Sequence, residues 1–314
     1  MTENFDIIPD IHAQYYKLEA LLKKLGWCES NNIWEHEDPK RRIVFLGDFI
    51  DRGVYNGRVL QLIKTLIKLN KAYAILGNHE LNAIYFHSKN KFTGNNLRQH
   101  SIKNIDQHQT FLDEFPYNDS RTKKIIKWFC TLPLFIDFKA FRVVHACWST
   151  KSIATISGES KKGIFSQNKF IEIASLRNEL YYAIERIAKG PELKLNGSNY
   201  FLDKSGLRRQ SVRLAWWLPN ATKLRELAIS VPNLNEIPNL EINSKNNFEN
   251  YGGKEVPVFF GHYWMTAPPK IYSQNAICLD CSAGLDGPLV SYHWKGGSRT
   301  LSFENITIGD TLDR

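Results

Sequence analysis

The fold of this 314-residue chain centres on the stretch Leu46-Gly47-Asp48-Phe49-Ile50-Asp51-Arg52-Gly53. Four apolar residues, 43–46, run into it, and a short apolar run bounded by glycine is typical of a buried strand. Asp48, Asp51 and Arg52 follow at the carboxyl end of that strand, where open α/β sheets bind their ligands. Carboxylates hold metal ions and arginine binds phosphate in bidentate fashion, which predicts a site for both. The alternative is a turn closed by an Asp51–Arg52 ion pair.

Two more apolar runs also end in polar residues. Residues 5–8 form a predicted strand that leads into Asp10 and His12, and leucines at helical spacing follow. Residues 72–76 form another predicted strand, which ends in Gly77-Asn78-His79-Glu80. Three strand–loop–helix units in succession predict an α/β fold with a mainly parallel sheet.

Two later predicted strands, 141–144 and 258–261, each deliver a histidine at their end. The five strand ends together offer six candidate metal ligands: Asp10, His12, Asp48, Asn78, His145 and His262. Mixed carboxylate, amide and imidazole ligands suit paired divalent ions of the manganese, iron or zinc type. One shared carboxylate would place the two ions about 3.5–4 Å apart, as in two-metal hydrolases. Taken singly, each residue could instead be a turn former or a hydrogen-bonded buried histidine.

The composition is that of an ordinary globular protein, with 43% hydrophobic and 23% charged residues. Lysine and arginine outnumber aspartate and glutamate by 41 to 32, and the resulting charge of +9 favours anionic partners. The lysines are spread along the chain, and no arginine-rich or aromatic-interleaved stretch stands out. This pattern argues against nucleic-acid binding.

Several features of the sequence bear on its cellular location. No apolar run reaches membrane-spanning length, and the polar, acidic residues 1–6 do not form a secretory signal. We therefore expect a cytoplasmic protein, with secretion by a non-classical route as the open alternative. Cys278 and Cys281 form a lone C-x-x-C pair, which is weak evidence for zinc. The five cysteines are predicted to be reduced thiols.

As a set, these motifs resemble those of the calcineurin-like metallophosphoesterases. The motifs that carry the resemblance are Asp10-x-His12, Gly47-Asp48-x-x-Asp51-Arg52-Gly53, Gly77-Asn78-His79-Glu80, His145 and Gly261-His262. More narrowly, they are similar to the phosphoprotein phosphatase group and its bacterial relatives, which include the symmetrical dinucleoside tetraphosphatases. The resemblance implies a two-sheet β-sandwich flanked by helices.

The resemblance also implies two metal sites that share one carboxylate. One ion would be held by Asp10, His12 and Asp48, and the other by Asp48, Asn78, His145 and His262. We expect two divalent ions, manganese first, with iron, zinc or magnesium as alternatives.

Three further residues have catalytic roles by the same resemblance. His79 would be the general acid, Asp51 would orient its ring, and Arg52 would bind the phosphate. Since the two metals have enough ligands without Asp51, that carboxylate is available to fix an imidazole.

The first motif departs from the family pattern at two positions. The family's usual glycines before the aspartate and after the histidine are replaced here by Pro9 and Ala13. Because proline fixes φ and removes an N–H, we expect that this loop cannot adopt a glycine-only conformation. Neither change removes a ligand.

Other polar residues lack the context of the proposed ligands. Three histidines are predicted to be surface or packing residues: His87, His100 and His108. Arg98 is a weaker candidate than Arg52 for a phosphate contact. Asp280 follows a strand, and we interpret it as an ion-paired or capping residue rather than a site residue. Residues 28–42 are polar and predict a loop.

Residues 150–256 have the weakest strand pattern of the chain. Within them, 171–188 predict a helix that ends at Lys189-Gly190-Pro191-Glu192, and Asp203-Lys204-Ser205-Gly206 predict a turn. We predict that they form a helical and loop-rich insertion over the active-site cleft, within a single domain of residues 1–314. The insertion contains three clustered arginines: Arg208, Arg209 and Arg213. One of them is predicted to contact the phosphate beside Arg52, whereas the alternative is surface arginines paired with solvent or glutamate. Trp216-Trp217 could stack on a base, but a buried pair is the favoured interpretation.

These features predict a two-metal phosphoesterase that hydrolyses phosphate monoesters with a metal-activated water. The favoured substrate is a phosphoserine or phosphothreonine protein or peptide, as for a phosphoprotein phosphatase. The alternative is a nucleotide hydrolase of the symmetrical bis(5'-nucleosyl)-tetraphosphatase type. A non-catalytic binding module is disfavoured because every proposed ligand is present.

Overall fold

The computed structural model describes residues 4–31, 33–197, 199–203, 206–242, 248 and 250–310. Its strands are β1 Asn4–Ile8, β2 Trp27–Ser30, β3 Ile33–His36, β4 Arg41–Phe45, β5 Ala72–Ala74, β6 Phe135–Asp137, β7 Arg142–Val144, β8 Glu192–Lys194, β9 Phe201–Leu202, β10 Arg208–Arg209, β11 Ser211–Leu214, β12 Ala228–Ile229, β13 Val258–Phe260, β14 Ala276–Cys278, β15 Val290–Trp294 and β16 Ile306–Ile308. Its α-helices are α1 Tyr15–Lys24, α2 Asn56–Lys68, α3 Asn78–Phe86, α4 Ile102–Glu114, α5 Ser120–Phe129, α6 Thr150–Glu159, α7 Gln167–Leu176, α8 Glu179–Lys189 and α9 Leu224–Leu227.

The first large sheet has the strand order β16-β15-β1-β4-β5. Strands β1, β4 and β5 are parallel, with Ile8 opposite Phe45 and Phe45 opposite Ala74. Strands β15 and β16 are antiparallel, so the sheet is mixed rather than mainly parallel. The three parallel strands end at one edge, which brings the loops after Ile8, Phe45 and Ala74 side by side.

The second large sheet has the order β14-β13-β7-β6. Strand β13 is parallel to both β7 and β14, and β6 is antiparallel to β7. Strands β7 and β13 therefore end at the same edge and deliver His145 and His262 there. The two histidines are neighbours because β7 and β13 are adjacent in the sheet, an order that no local sequence pattern predicts.

One buried cluster contains residues from both sheets. Phe5, Ile7 and Val44 of the first sheet share it with Val143 and Phe259 of the second. Residues one position along the strands, such as Ile8 and Phe45, belong to the other cluster, which also contains the apolar faces of the helices. This alternation follows from the two-residue period of a strand. The predicted two-sheet sandwich with flanking helices is confirmed.

Two regional predictions need correction. Residues 28–42 contain part of a hairpin, β2 and β3, rather than a loop only. The segment 150–256 begins with three helices, in line with its predicted helical character, but it then forms a three-stranded sheet, β12-β11-β8, and a two-stranded one, β10-β9. These strands are two to four residues long, and half-polar runs of that length carry too little pattern to be predicted.

The predicted helix across 171–188 is in fact two helices, α7 and α8. Arg177 has a φ of 48°, a left-handed conformation that ends α7, and Asn178 caps α8 by accepting the Tyr181 N–H. The stop predicted at Lys189-Gly190-Pro191-Glu192 is confirmed. Of the turn predicted at 203–206, residues 204 and 205 lie outside the described residues. None of the helices in the described ranges is long and apolar enough to cross a membrane.

Candidate active site

The loop after β4 and the loop after β5 touch at two glycines. A Cβ on Gly47 would lie 2.4 Å from the Gly77 nitrogen, and one on Gly77 would lie 2.2 Å from Oδ1 of Asp48. Such contacts exclude any side chain at either position. The two glycines therefore let Asp48 approach the start of α3, where its Oδ1 accepts the His79 N–H at 2.9 Å.

Glu80 locks these two loops together. Its carboxylate accepts the backbone N–H groups of Asp48, Phe49 and Gly77 at 2.9, 2.8 and 3.0 Å. Burial, helped by the Asp48 charge, raises the pKa of Glu80 to about 7. The motif alone predicts no role for Glu80, because its partners lie in two loops that only the fold brings together.

The first group of metal-ligating side chains consists of His12, Asp48 and His79, whose donor atoms lie within 4.8 Å of one another. His12 Nδ1 donates to the Ile50 carbonyl at 3.1 Å, so its Nε2 carries the lone pair, 3.7 Å from Oδ2 of Asp48. Burial and the nearby His79 lower the pKa of His12 to about 3, which keeps it neutral.

The second group consists of Asp48, His145 and His262, again within 4.8 Å. His145 Nδ1 donates to the Leu46 carbonyl at 2.8 Å, and its Nε2 lies 3.4 Å from Oδ1 of Asp48. The amide oxygen of Asn78 lies 2.9 Å from Nε2 of His145 and 2.6 Å from Nδ1 of His262. Burial lowers the pKa of His145, but Asp48 outweighs it and raises the value to about 10.

This donor set fits two divalent cations. Nε2 of His12 and Nε2 of His262 are buried and have no hydrogen-bond partner within the described part of the chain. A backbone carbonyl holds the other ring nitrogen of His12 and of His145, which is how metal-ligating histidines are oriented. Asp48 belongs to both groups, as a bridging carboxylate would.

Asp10 is fully buried beside the second group but belongs to neither triplet of donors. Its two carboxylate oxygens lie 3.0 and 3.1 Å from the backbone nitrogen of His262, which donates to them. Burial, followed by the Asp280 and Asp48 charges, sets its pKa well above the ordinary value despite the nearby His145. Gly261 is required here, because a Cβ would lie 1.8 Å from Asp10 Oδ2. The role of Asp10 as a metal ligand stays a prediction.

Asp51 lies between two histidines. His79 Nδ1 donates to one carboxylate oxygen at 2.5 Å, and His108 Nδ1 donates to the other at 2.7 Å. Burial works to raise the pKa of Asp51, but His108 and His79 together lower it below its ordinary range. Burial lowers the pKa of His79, and the Asp48 and Asp51 carboxylates outweigh it to place that pKa above the ordinary value.

The interpretation of His108 as a packing residue was incomplete. It does stack on Phe111, with ring centroids 4.7 Å apart, but its polar edge completes the site by holding Asp51. Its position in the middle of α4, 57 residues after Asp51, carries no local signal. Asp280 accepts the backbone N–H groups of Trp264 and Ser282. These bonds agree with its interpretation as an ion-paired or capping residue.

Arg52 lies at the open side of the site. Its guanidinium carbon lies 3.7 Å from the centre of the Trp264 ring, a cation–π contact that fixes the plane of the fork. Gly284 packs behind it, and a Cβ there would lie 2.8 Å from Arg52 Cδ and 2.5 Å from His12 Cδ2. These contacts leave the guanidinium able to bind an anion.

The three arginines of the segment 150–256 line one cavity of about 920 Å³. Arg209 pairs with Asp203 at 2.7 Å, Arg213 pairs with Glu192 at 3.5 Å, and Arg208 lies over the Tyr200 ring. A phosphate contact beside Arg52 stays a prediction for all three. Burial, then the Arg213 charge, lowers the pKa of His262 well below its ordinary value, so Arg213 acts on the metal-ligand group.

The predicted burial of the tryptophan pair is confirmed. Trp216 and Trp217 are 1% and 3% exposed, and Nε1 of Trp216 donates to the Ala146 carbonyl at 2.8 Å. This bond ties the segment 150–256 to the loop that follows His145. The pair therefore packs the segment against the sheet instead of offering a stacking surface.

Residues 4–161 match the calcineurin-like phosphoesterase family. The chain belongs to that family. The matched region contains five of the six predicted metal ligands, all except His262, together with the Asp51–Arg52 pair and His79. The resemblance drawn from the motifs is therefore confirmed.

Several curated relatives share one name. The chain is 34% identical over 142 residues to the asymmetrical bis(5'-nucleosyl)-tetraphosphatase PrpE of Oceanobacillus iheyensis, covering 45% of this chain and 54% of the relative. It is 32% identical over 150 residues to the protein of the same name from Anoxybacillus flavithermus, covering 45% and 56%. The chain spans about half the length of the curated relatives it matches.

The fold is also similar to that of a protein serine/threonine phosphatase from Saccharomyces cerevisiae. The TM-score is 0.54, with 15% sequence identity, and the match covers 99% of this chain and 81% of that one. At this identity the similarity concerns the fold alone.

Proposed function

We propose that this protein is a metal-dependent phosphohydrolase that cleaves dinucleoside polyphosphates asymmetrically. The observation that carries the proposal is the two-metal donor set around Asp48, in a chain whose curated relatives are named asymmetrical tetraphosphatases. This proposal favours the nucleotide alternative of the sequence analysis over its protein-phosphatase interpretation. It also replaces symmetrical by asymmetrical cleavage, following the name of the relatives.

The proposed metal ligands are the six predicted from the strand ends: Asp10, His12, Asp48, Asn78, His145 and His262. When bound, two divalent ions supply a nucleophile from water near neutral pH and Lewis-acid stabilisation of phosphate charge. Manganese is the first candidate. The buried carboxylates and imidazoles of the chain would hold that charge in a site from which bulk water is largely excluded.

Arg52 binds the non-bridging oxygens of the phosphate under attack. Its planar fork can donate two parallel hydrogen bonds to a phosphate, and the Trp264 ring holds its plane. A preorganised cation of this kind stabilises the charge that develops in the transition state.

His79 donates a proton to the leaving oxygen. The neighbouring carboxylates favour its protonated form, and the bond from Nδ1 to Asp51 leaves Nε2–H for the substrate. A proton delivered to the bridging oxygen lets the departing nucleotide leave without a full additional charge. Asp51 keeps the ring in this orientation because His108 holds its other oxygen.

The proposal is tested by giving the manganese-loaded protein diadenosine tetraphosphate and a phosphoserine peptide in parallel. We expect hydrolysis of the dinucleotide to equal amounts of ATP and AMP, measured by ion-exchange chromatography. Two molecules of ADP would indicate symmetrical cleavage. Turnover of the peptide alone would restore the protein-phosphatase interpretation.

A further inference from the structure

The cavity lined by the arginines is built from two separate parts of the chain. Lys103 and Gln107, on the first two turns of α4, form one wall, and the short strands of the segment 150–256 form the other. Its volume of about 920 Å³ lies within the range of roughly 300–1,000 Å³ that small-molecule sites occupy. The sequence predicted neither the cavity nor the part that α4 plays in it.

The cavity adjoins the catalytic centre at His79. Gln107 lines it and also lines a small cavity formed with Asp51 and His79. Arg98 lies at the same junction and donates to the Gln107 side chain at 2.8 Å. Arg98 and Gln107 therefore lie between His79 and the large cavity, and a chain of phosphates that reaches the cavity must run past these two side chains. His79 faces the leaving oxygen, so the cavity lies on the leaving-group side.

The lining of the cavity carries excess positive charge. Four cationic side chains and two acidic ones line it: Lys103, Arg208, Arg209, Arg213, Glu192 and Asp203. Both acids are engaged, Glu192 with Arg213 and Asp203 with Arg209. Within the described ranges, no ion pair joins Lys103 or Arg208 to a carboxylate. Two cations are therefore left for an anionic ligand, one on each wall.

The cavity also offers an aromatic surface. Tyr200 is 39% exposed, and the Arg208 guanidinium carbon lies 4.5 Å from the centre of its ring. A tyrosine ring next to an arginine suits a nucleobase, which stacks on such faces without a strong sequence preference. Phosphate-binding cations and a stacking surface in one cavity are what a nucleoside polyphosphate requires.

From these contacts we infer that the cavity binds the leaving nucleoside polyphosphate, the larger of the two products. This inference rests on the proposed function. The attacking water gives up one proton to solvent as its oxygen forms a bond to the phosphorus of the nucleoside monophosphate end, and the bond from that phosphorus to its bridging oxygen breaks. The electron pair stays on the bridging oxygen, which takes the proton of His79 and leaves as the end of a nucleoside triphosphate held by Lys103 and Arg208.

The test uses the variant K103A/R208A, which removes one cation from each wall. Each lost charge-assisted bond reduces binding by about tenfold or more. We therefore expect kcat/KM for diadenosine tetraphosphate to fall about 100-fold relative to kcat/KM for p-nitrophenyl phosphate, which is too short to reach the cavity. The control K68A/K124A removes the same charge from exposed positions on α2 and α5 and should leave that ratio unchanged. An unchanged ratio in K103A/R208A would overturn the inference.

Hydrolysis in ¹⁸O-labelled water gives an independent readout. We expect the label in AMP, because the attacked phosphorus belongs to the monophosphate end. Label in ATP would show that AMP is the leaving group and would overturn the inference while leaving asymmetrical cleavage intact.

Direct binding of ATP separates the two proposals. If the wild-type protein does not cleave diadenosine tetraphosphate, the proposed function fails. ATP binding that weakens in K103A/R208A but not in K68A/K124A would still support the polyphosphate site in that case. Equal ATP affinity in all three proteins would reject the site.

Discussion

The loops that follow β1, β4, β5, β7 and β13 form the rim of the site. This rim and the segment 150–256 differ in how their backbones are held. At the rim, seven non-glycine residues have left-handed φ values: His12, Ala13, Asp48, Asp51, Arg52, His262 and Trp264. In the described part of the segment, only Arg177 and Ser230 do, and Arg177 ends a helix. A left-handed non-glycine residue costs about 1–3 kcal/mol, so surrounding contacts must hold the rim in place.

The two regions also differ in what their polar side chains contact. Rim residues are buried and bond to backbone groups, as His145 does to Leu46 and Glu80 does to three N–H groups. Arg209 and Arg213 of the segment are partly or fully exposed, and each pairs with a single carboxylate. The difference supports the proposals made above, in which the rim performs the chemistry and the segment binds part of the substrate.

Metal removal should have the largest effect, because it disables the rim and leaves the segment untouched. We expect exhaustive chelation to reduce hydrolysis by at least about a thousandfold, since Lewis-acid and nucleophile chemistry contribute several kcal/mol. Manganese should restore activity. Asp48→Asn should lower the metal content at both positions, whereas Asp113→Asn on exposed α4 should not. Full activity in the chelated protein would disprove the assignment of the rim.

His79→Asn should produce the next largest loss. General acid catalysis contributes about 10²- to 10⁴-fold, so turnover of a substrate with a poor leaving group should fall by that factor. An aryl phosphate, whose phenolate leaves readily, should lose less. The metal content should match that of the wild type and of the control His36→Asn in the β2–β3 hairpin. Loss of metal would instead make His79 a ligand, which its place in the first donor group allows.

His108→Asn should have a smaller effect, because His108 acts through Asp51. We expect kcat to fall about tenfold, the lower end for a residue that orients a catalytic group. In the double variant with His79→Asn, the second substitution should add almost nothing, because residues in one network are not additive. Fully additive losses would show that His108 does not act through Asp51 and His79.

Ala13→Gly should give the smallest change and the most direct test of strain at the rim. The φ of Ala13 is +55°, which lies in the left-handed region that glycine adopts more readily than alanine. Glycine removes a cost of about 1–2 kcal/mol but adds about 0.4–1 kcal/mol of chain entropy. The free energy of unfolding should therefore rise by about 0.5–1 kcal/mol in urea titrations. The control Ala154→Gly, in α6 of the segment, should lower it by about 1 kcal/mol.

Ala13 adopts this conformation for a physical reason. The left-handed region is disfavoured for residues with a Cβ but is not closed to them. The backbone N–H of Ala13 donates to Phe49 at 2.7 Å and its carbonyl accepts the N–H of Tyr15 at 3.0 Å, contacts that a local reading of the chain does not contain. The neighbouring residues therefore hold the loop in place, although Pro9 and Ala13 stand where the family usually has glycines.

The sequence by itself determined which side chains stand at the strand ends, and thereby the family. That information is local, since an apolar run followed by Asp48, Asn78 or His145 places a candidate ligand where a buried strand meets a loop. Parallel strands collect such ends at one edge of a sheet. The candidate ligands could thus be named before any distance between them was known.

The tertiary structure alone decided which residues support those ligands and what lies beside them. The bonds of Glu80 to the β4 loop and of His108 to Asp51 span 31 to 57 residues, and the walls of the cavity, Lys103 and Arg208, are more than 100 residues apart. Patterns of period two or 3.6 describe only a segment and its own faces. Contacts between distant segments depend on the packing of the whole chain, and that packing brings α4 and the segment 150–256 together beside His79.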